Sequence, residues 1–217
     1  MLRVMPQTGR FVTFEGPEGA GKSSQIAALA EWLRQQGVER VVTREPGGTP
    51  MGDRIREALF GAHDHGALPL TEALLMNASR AQHVAELIRP ALTAGRLVLC
   101  DRYADATLAY QGYGHGIDLS VLRRLIDIAT GGLQPDLTIL LDLPVEVGLA
   151  RKRSAEQELN HMDLQSLEFH ARVREGYLRL AAEEPSRWRV IDASRPARVV
   201  QRAIRCLLEL GGGASGD

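Results

Sequence analysis

Short apolar runs alternate along the chain with segments whose apolar residues recur at helical spacing. Phe11 to Glu15 (F-V-T-F-E), Arg40 to Thr43 (R-V-V-T), Leu97 to Asp101 (L-V-L-C-D) and Leu137 to Asp142 (L-T-I-L-L-D) are the clear runs, and Arg189 to Asp192 (R-V-I-D) is the weakest. Without polar alternation, such runs predict strands buried on both faces, hence a parallel sheet. Ile26, Leu29, Ala30 and Leu33 predict a helix, with Gly37 placed as the glycine that ends it. Leu74, Leu75, Ala78, Ala81, Val84, Ala85 and Ile88 predict a second, starting near Thr71 and stopping before Pro90. The β-α-β-α alternation predicts one doubly wound α/β domain over 1–210, its five-stranded parallel sheet flanked by helices. Arg151 to Ser166 is polar and charge-dense after a helix-like start at Glu146. It reads as a solvated helical face or as a small helical lid over about 150–166. The tail at 211–217, G-G-G-A-S-G-D, reads as flexible and disordered.

The first run leads directly into Gly16, Pro17, Glu18, Gly19, Ala20, Gly21, Lys22 and Ser23. This octet fits G-x-x-x-x-G-K-[ST], for which this composition gives a chance expectation of about 0.002. The glycines let backbone N–H groups approach phosphate oxygens, and the following helix, with Ser24 in its first turn, adds its positive end. Lys22 is expected to bridge β- and γ-phosphates, and the Ser23 hydroxyl to ligate Mg²⁺. Asp101, closing an apolar strand, is the candidate second metal group. Lysine at 22 is a choice: the chain holds 26 Lys and Arg together, and only Lys22 and Lys152 are lysines. A planar guanidinium does not replace a compact ammonium between two phosphates. The fold class is therefore a P-loop NTPase, binding a nucleoside triphosphate with Mg²⁺.

Composition narrows the setting. Hydrophobic residues make up 44% and charged residues 24% of 217, which suits one soluble globular core. A net charge of −1 gives no support for nucleic-acid or membrane-surface binding. No apolar stretch reads as a signal peptide or a membrane span, so a cytoplasmic enzyme is expected. Cys100 and Cys206 read as buried reduced thiols. His63 and His65 flank Asp64 in what reads as a solvated loop, and His115 reads as loop-exposed.

A GTPase would carry D-x-x-G and N-K-x-D segments, but the only asparagines, Asn77 and Asn160, precede Ala and His. Motor and transporter ATPases place an acidic pair where this chain has Asp101 and Arg102. Transfer between two bound nucleotides needs cations on both sides of the reacting phosphorus, and Arg44, Arg56, Arg80, Arg102, Arg151 and Arg153 are candidates. That pattern favours a small-molecule kinase over a nucleotide-sensing module.

Six segments together resemble the thymidylate kinase family in its bacterial form: F-E-G-P-E-G-A-G-K-S (14–23), T-R-E-P-G-G-T (43–49), D-R-Y (101–103), A-Y-Q-G-Y (109–113), P-D-L-T-I-L-L-D (135–142) and F-H-A-R-V-R-E-G-Y (169–177). They run in family order over nearly the whole chain. The resemblance implies ATP-dependent phosphorylation of dTMP to dTDP by a homodimer. It implies that Arg102, Arg44 and Arg56 grip the dTMP phosphate and that Glu18 contacts the 3′-hydroxyl side of the deoxyribose, with Glu45 in the same acidic pocket. Arg80 resembles the arginine that recognises thymine O4, and Gln111 the glutamine facing the pyrimidine edge. Tyr110 occupies the position that crowds a 2′-hydroxyl, and Thr107 lines the pocket. Two departures stand out. Met76 replaces a stacking Phe, and the loop interior lacks a basic residue, which resembles the class whose catalytic arginine comes from the lid. Relatives often read R-[LMI]-[DE] where this chain has His161, Met162 and Asp163. The lid role is assigned to Arg153 first and Arg151 second, with Lys152 and His161 as the remaining cations.

Overall fold

A computed structural model describes residues 9–61, 67–154 and 165–210; the expectations for His63–His65, His161–Asp163, most of the lid and the 211–217 tail fall outside them. Five strands form one all-parallel sheet: β1 (Arg10–Glu15), β2 (Arg40–Arg44), β3 (Leu97–Asp101), β4 (Leu137–Asp142) and β5 (Trp188–Asp192). Their order, β2-β3-β1-β4-β5, puts the first strand at the centre. Phe11, Val12 and Phe14 are wholly buried there, which is why that run shows no polar alternation. The register sets Phe14 and Arg44 opposite Asp101, so the strand ends that carry candidate chemistry finish at one edge. In open α/β sheets ligands bind outside the carboxyl ends of the strands.

Helix α1 (Lys22–Gln35) and α9 (Ala197–Leu210) cover one face, burying Ile26, Leu29, Leu33, Val200 and Ile204 against β1, β3 and β4. Gly37 ends α1 as expected: at φ 72° its N–H donates to Arg34 O while Val38 N donates to Leu33 O. The other face carries α2 (Pro50–Phe60), α3 (Pro69–His83), α6 (Leu119–Thr130) and α8 (Leu167–Glu183). Helix α5 (Ala104–Thr107) runs on into a π-helical segment, Leu108–Gly114, and α7 (Val145–Ser154) follows β4.

Two local expectations are corrected. The second helix does not stop before Pro90: a π-helical turn, Val84–Ile88, carries it into α4 (Arg89–Thr93). The Arg89 N–H reaches back to Val84 O, which resets the ladder just before proline, whose missing N–H then falls in the first turn of α4. Cys100 is buried, but Cys206 is exposed on α9.

Candidate active site

The segment from Gly16 to Ser23 closes between β1 and α1 with Gly16, Gly19 and Gly21 at positive φ. Gly21 caps α1 without any side-chain hydrogen bond, and the first turn of α1 holds no acidic residue. Its N–H groups are thus left to meet an anion, supported by the helix dipole. Gly19 lies against α7 so closely that a Cβ there would run into the Gly148 carbonyl. Lys22 is buried, and its Nζ donates to Gly16 O and Pro17 O at 3.0 and 3.1 Å. Burial, then the Arg102 charge, pushes its ammonium down to about 8. Ser23 Oγ donates to Asp101 Oδ2 at 2.7 Å across the same mouth. A hydroxyl and a carboxylate oxygen side by side are the hard donors that Mg²⁺ takes beside nucleotide phosphates, so the residues present fit that ion.

A second cluster faces the loop. Arg102 sits just past β3 at φ 66°, a backbone that non-glycine residues rarely hold, and this turns its guanidinium across the β1 end. It donates to Glu18 Oε1 at 2.8 Å, to the hydroxyls of Tyr110 and Tyr177 at 2.9 and 3.0 Å, and to Gly16 O at 3.2 Å. Glu18 also accepts from the Tyr110 hydroxyl and pairs with Lys152 Nζ at 3.4 Å. Burial acts to raise its carboxyl, but Arg102, Lys22 and Lys152 outweigh it and hold the group well below the usual carboxylate range. Beneath them, Glu15 accepts from Tyr177 Oη and Tyr103 N, both at 2.8 Å. Its burial, reinforced by Asp105, pushes that carboxyl up to about 8.

Beyond this cluster the cleft, about 490 Å³ in all, continues to a pocket lined by Arg44, Glu45, Pro46, Arg56, Phe60, Met76, Arg80, Tyr103, Tyr110 and Gln111. Met76 and Arg80 lie one turn apart on α3 and reach it together. Arg80 is only 1% exposed. Its Nε donates to Glu45, its Nη1 to Asn77, and its Nη2 to Tyr103 O and Thr107 Oγ1. Glu45 is held on its other oxygen by His83 Nδ1, whose Nε2 faces Thr43. Gln111 Nε2 donates to Glu72 at 3.2 Å, and Gln111 Oε1 is buried with no partner among the described residues.

The cleft therefore brings together Glu18 to Ser24, Arg44, Glu45, Arg56, Met76, Arg80, Asp101, Arg102, Tyr110, Gln111 and Arg151. Gly16 and Pro17 lie at its base without lining it, and Thr107 stands behind Arg80 instead of in the wall. On α7, Arg151 lines the cleft and donates to Ala193 O, Lys152 lines it beside Glu18, and Arg153 is exposed outside the lining. His115 is not loop-exposed: its side chain is 18% exposed, its ring tilted against Phe169 at 4.6 Å between centroids, and it lies 3.9 Å from Glu72. Residues that sequence alone did not single out are Glu15, Tyr177, Asn77, His83 and Glu72. Glu15 and Tyr177 lie within quoted segments but without a role, and no motif carries the other three, because their importance is a matter of what they hold.

The thymidylate kinase family model matches residues 14–204. The thymidylate kinase of Thermomicrobium roseum is 57% identical over 194 residues, 89% of this chain and 91% of its own length. That of Desulfovibrio desulfuricans is 53% identical over 205 residues, 92% and 94% of the two chains. The crystal structure of Ehrlichia chaffeensis thymidylate kinase superposes with a TM-score of 0.75 at 35% identity, covering 93% of this chain and 99% of that one. With the glycine loop, its buried lysine and the adjoining arginine-rich pocket already in place, these matches establish that the chain belongs to the thymidylate kinase family.

Proposed function

We infer that this protein transfers the γ-phosphoryl group of ATP to dTMP, yielding ADP and dTDP for nucleotide biosynthesis. One observation carries the choice of base. Among the described residues, four of the five Arg80 N–H donors are engaged, leaving one on Nη1, and Gln111 Oε1 is an acceptor without a partner. One donor beside one acceptor matches thymine O4 and N3–H, and mismatches cytosine, whose 4-amino group donates and whose N3 accepts. Met76, Phe60 and Pro46 supply apolar surface for the ring and its methyl group.

The residues then take these roles. ATP phosphates lie on the loop amides from Gly16 to Ser24, with Lys22 across the β- and γ-groups. Arg44, Arg56 and Arg102 hold the dTMP phosphate, Glu18 and Glu45 form the acidic side of the acceptor pocket, and Tyr110 crowds a 2′-hydroxyl. Thr107 serves the pocket by holding Arg80. A phosphate oxygen of dTMP attacks the γ-phosphorus in line, and the bond to the β–γ bridging oxygen breaks as ADP departs. No protein nucleophile takes part; Lys22 and the arginines neutralise charge that spreads over the transferring group. Ser23 and Asp101 would hold Mg²⁺, which contributes charge neutralisation between the phosphates when bound. The cation absent from the loop interior is supplied by the lid base, from among Arg153, Arg151 and Lys152.

The protein acts as a homodimer in the cytoplasm. Supporting the dimer, α3 and α6 pack together and carry exposed Leu70, Leu74, Val121 and Ile128, an apolar surface that a second copy would cover. No described helix is long and apolar enough to cross a membrane. A coupled assay with ATP, Mg²⁺ and a panel of dTMP, dUMP, UMP, CMP, AMP and GMP tests the reaction. Turnover is expected with dTMP foremost; no turnover with any acceptor removes the kinase, and preference for a ribonucleotide removes thymidylate as the substrate.

A further inference from the structure

We propose that Glu72 sets the pyrimidine specificity of the pocket by fixing which end of the Gln111 amide faces the base. The proposal rests on Arg80 and Gln111 reading the base edge, and it concerns a residue that touches no substrate. Glu72 lies in the first turn of α3, one turn before Met76 and two before Arg80, and is 2% exposed. Its Oε2 accepts from Gln111 Nε2 at 3.2 Å.

A glutamine amide is nearly symmetric in shape, so packing alone scarcely distinguishes its oxygen from its nitrogen. Its neighbour's hydrogen-bonding character decides instead. Glu72 accepts at Oε2, so the amide turns its NH₂ toward Glu72 and leaves its oxygen on the other side. That oxygen is the buried acceptor without a partner in the cleft wall. Gln111 itself is 1% exposed, where an unmet acceptor is costly and a ligand N–H is correspondingly rewarded. His115 Nε2 lies 3.9 Å from the same Glu72 oxygen, a second nitrogen facing the carboxylate. Reversing the Gln111 amide would offer a donor to the base, matching cytosine N3 in place of thymine N3–H. Glu72 is therefore a positioning residue for selectivity, acting through Gln111.

The experiment compares kcat/KM for dTMP and dCMP, at saturating ATP and Mg²⁺, in the wild type, Glu72→Gln and Glu72→Asp. An amide at 72 donates as well as accepts, so both Gln111 orientations become available. The dTMP-to-dCMP ratio should fall about tenfold or more in E72Q, chiefly through the nucleotide KM values, with the KM for ATP unchanged. Aspartate remains acceptor-only, so E72D should keep the dTMP preference within about threefold. A folded E72Q with an unchanged ratio overturns the proposal. Loss of preference in E72D overturns it too, and that arm decides if E72Q does not fold. A wild-type enzyme with no preference for dTMP over dCMP would remove the reading of Arg80 and Gln111 together with the role of Glu72.

Discussion

The two halves of the cleft are built by opposite means. On the proposed reading, the ATP half comes from the one segment from Gly16 to Ser24, its phosphate-facing groups mostly backbone amides set by glycines at positive φ. The dTMP half comes from side chains on β2, α2, α3, the end of β3 and the π-helical segment. A backbone cradle recognises phosphate, which every nucleotide has, and needs little support beyond the loop itself. A side-chain pocket recognises one base edge, and each group needs a further residue to hold it: Glu45, Asn77 and Thr107 for Arg80, His83 for Glu45, Glu72 for Gln111. Damage should therefore spread differently in the two halves, as lost turnover in one and lost stability or selectivity in the other.

The largest effect belongs to the side-chain half. Arg80→Met removes the guanidinium that pairs with buried Glu45 at 2.8 Å and leaves that carboxylate, among the described residues, with His83. Breaking a buried pair from one side costs about 3–5 kcal/mol. For a chain of this size that lowers the melting temperature by roughly 10 °C, at about 2–4 °C per kcal/mol. A variant that melts with the wild type would show that the network is not what holds Glu45.

Lys22→Met tests the other half. It should cost kcat about 10²–10³-fold, the scale for one preorganised charge-stabilising group. Its melting temperature and dTMP affinity by calorimetry should stay near the wild type, because among the described residues Lys22 donates to two loop carbonyls, and Glu18 keeps its pairs with Arg102 and Lys152. A collapse in stability equal to that of Arg80→Met would erase the contrast between the halves.

Alanine variants of Arg151, Lys152 and Arg153 locate the missing cation. Loss of turnover by about 10²-fold with little loss of dTMP affinity is expected in one of them. Arg151 and Lys152 line the cleft while Arg153 lies outside the lining, so the loss should fall on the first two before the third. Undiminished turnover in all three would move the role to His161.

What was legible in the sequence follows the same division. The three inner strands are legible because both their faces are apolar, and the loop because its chemistry is contiguous; the edge strands β2 and β5 are shorter runs, and contrary to the expectation of burial on both faces they expose Val42 and Val190. The long α3–α4 helix was cut short because proline normally ends a helix, and nothing in sequence announces a π turn that absorbs it. Family resemblance supplied Arg80, Gln111 and Tyr110. It did not supply Glu72, Glu15 or His83, whose partners lie 38 to 162 positions away. Thr107 was placed in the wall when it stands behind it, because a motif gives position along the chain and not depth.

The charge state of Lys22 offers a gentler probe of the donor half. In the free enzyme its ammonium is pushed down to about 8, by burial first and Arg102 second. Triphosphate favours the charged amine, so binding raises that pKa, and at pH 8 to 9 ATP should bind with uptake of a proton. ATP affinity should accordingly weaken as pH rises above about 8, by at most about tenfold per unit. Calorimetry in buffers of different ionisation enthalpy measures the uptake. Glu15, also raised to about 8, would add uptake of the same sign, so Lys22→Met is the needed control. Uptake that persists undiminished in that variant would assign the proton to Glu15.

The smallest effect concerns the ring face of the acceptor pocket. Met76 lines the cleft one turn before Arg80, where, on the proposed reading, a flexible thioether would meet the pyrimidine in place of an aromatic plane. Sulfur–aromatic contact is worth roughly 0.3–1.5 kcal/mol and orients weakly, since the side chain adapts to whatever ring it meets. An aromatic pair is worth about as much but prefers defined offset or edge-on geometry. Met76→Phe should therefore change dTMP affinity little, by less than about tenfold, while narrowing tolerance for pyrimidines altered at C5. The comparison is the spread of kcat/KM across dTMP, dUMP and larger C5-substituted analogues in the two proteins. An identical spread, together with identical dTMP affinity, would show that base shape is set by other residues lining the cleft, Phe60, Pro46 and Tyr103 among them, and that position 76 only fills space.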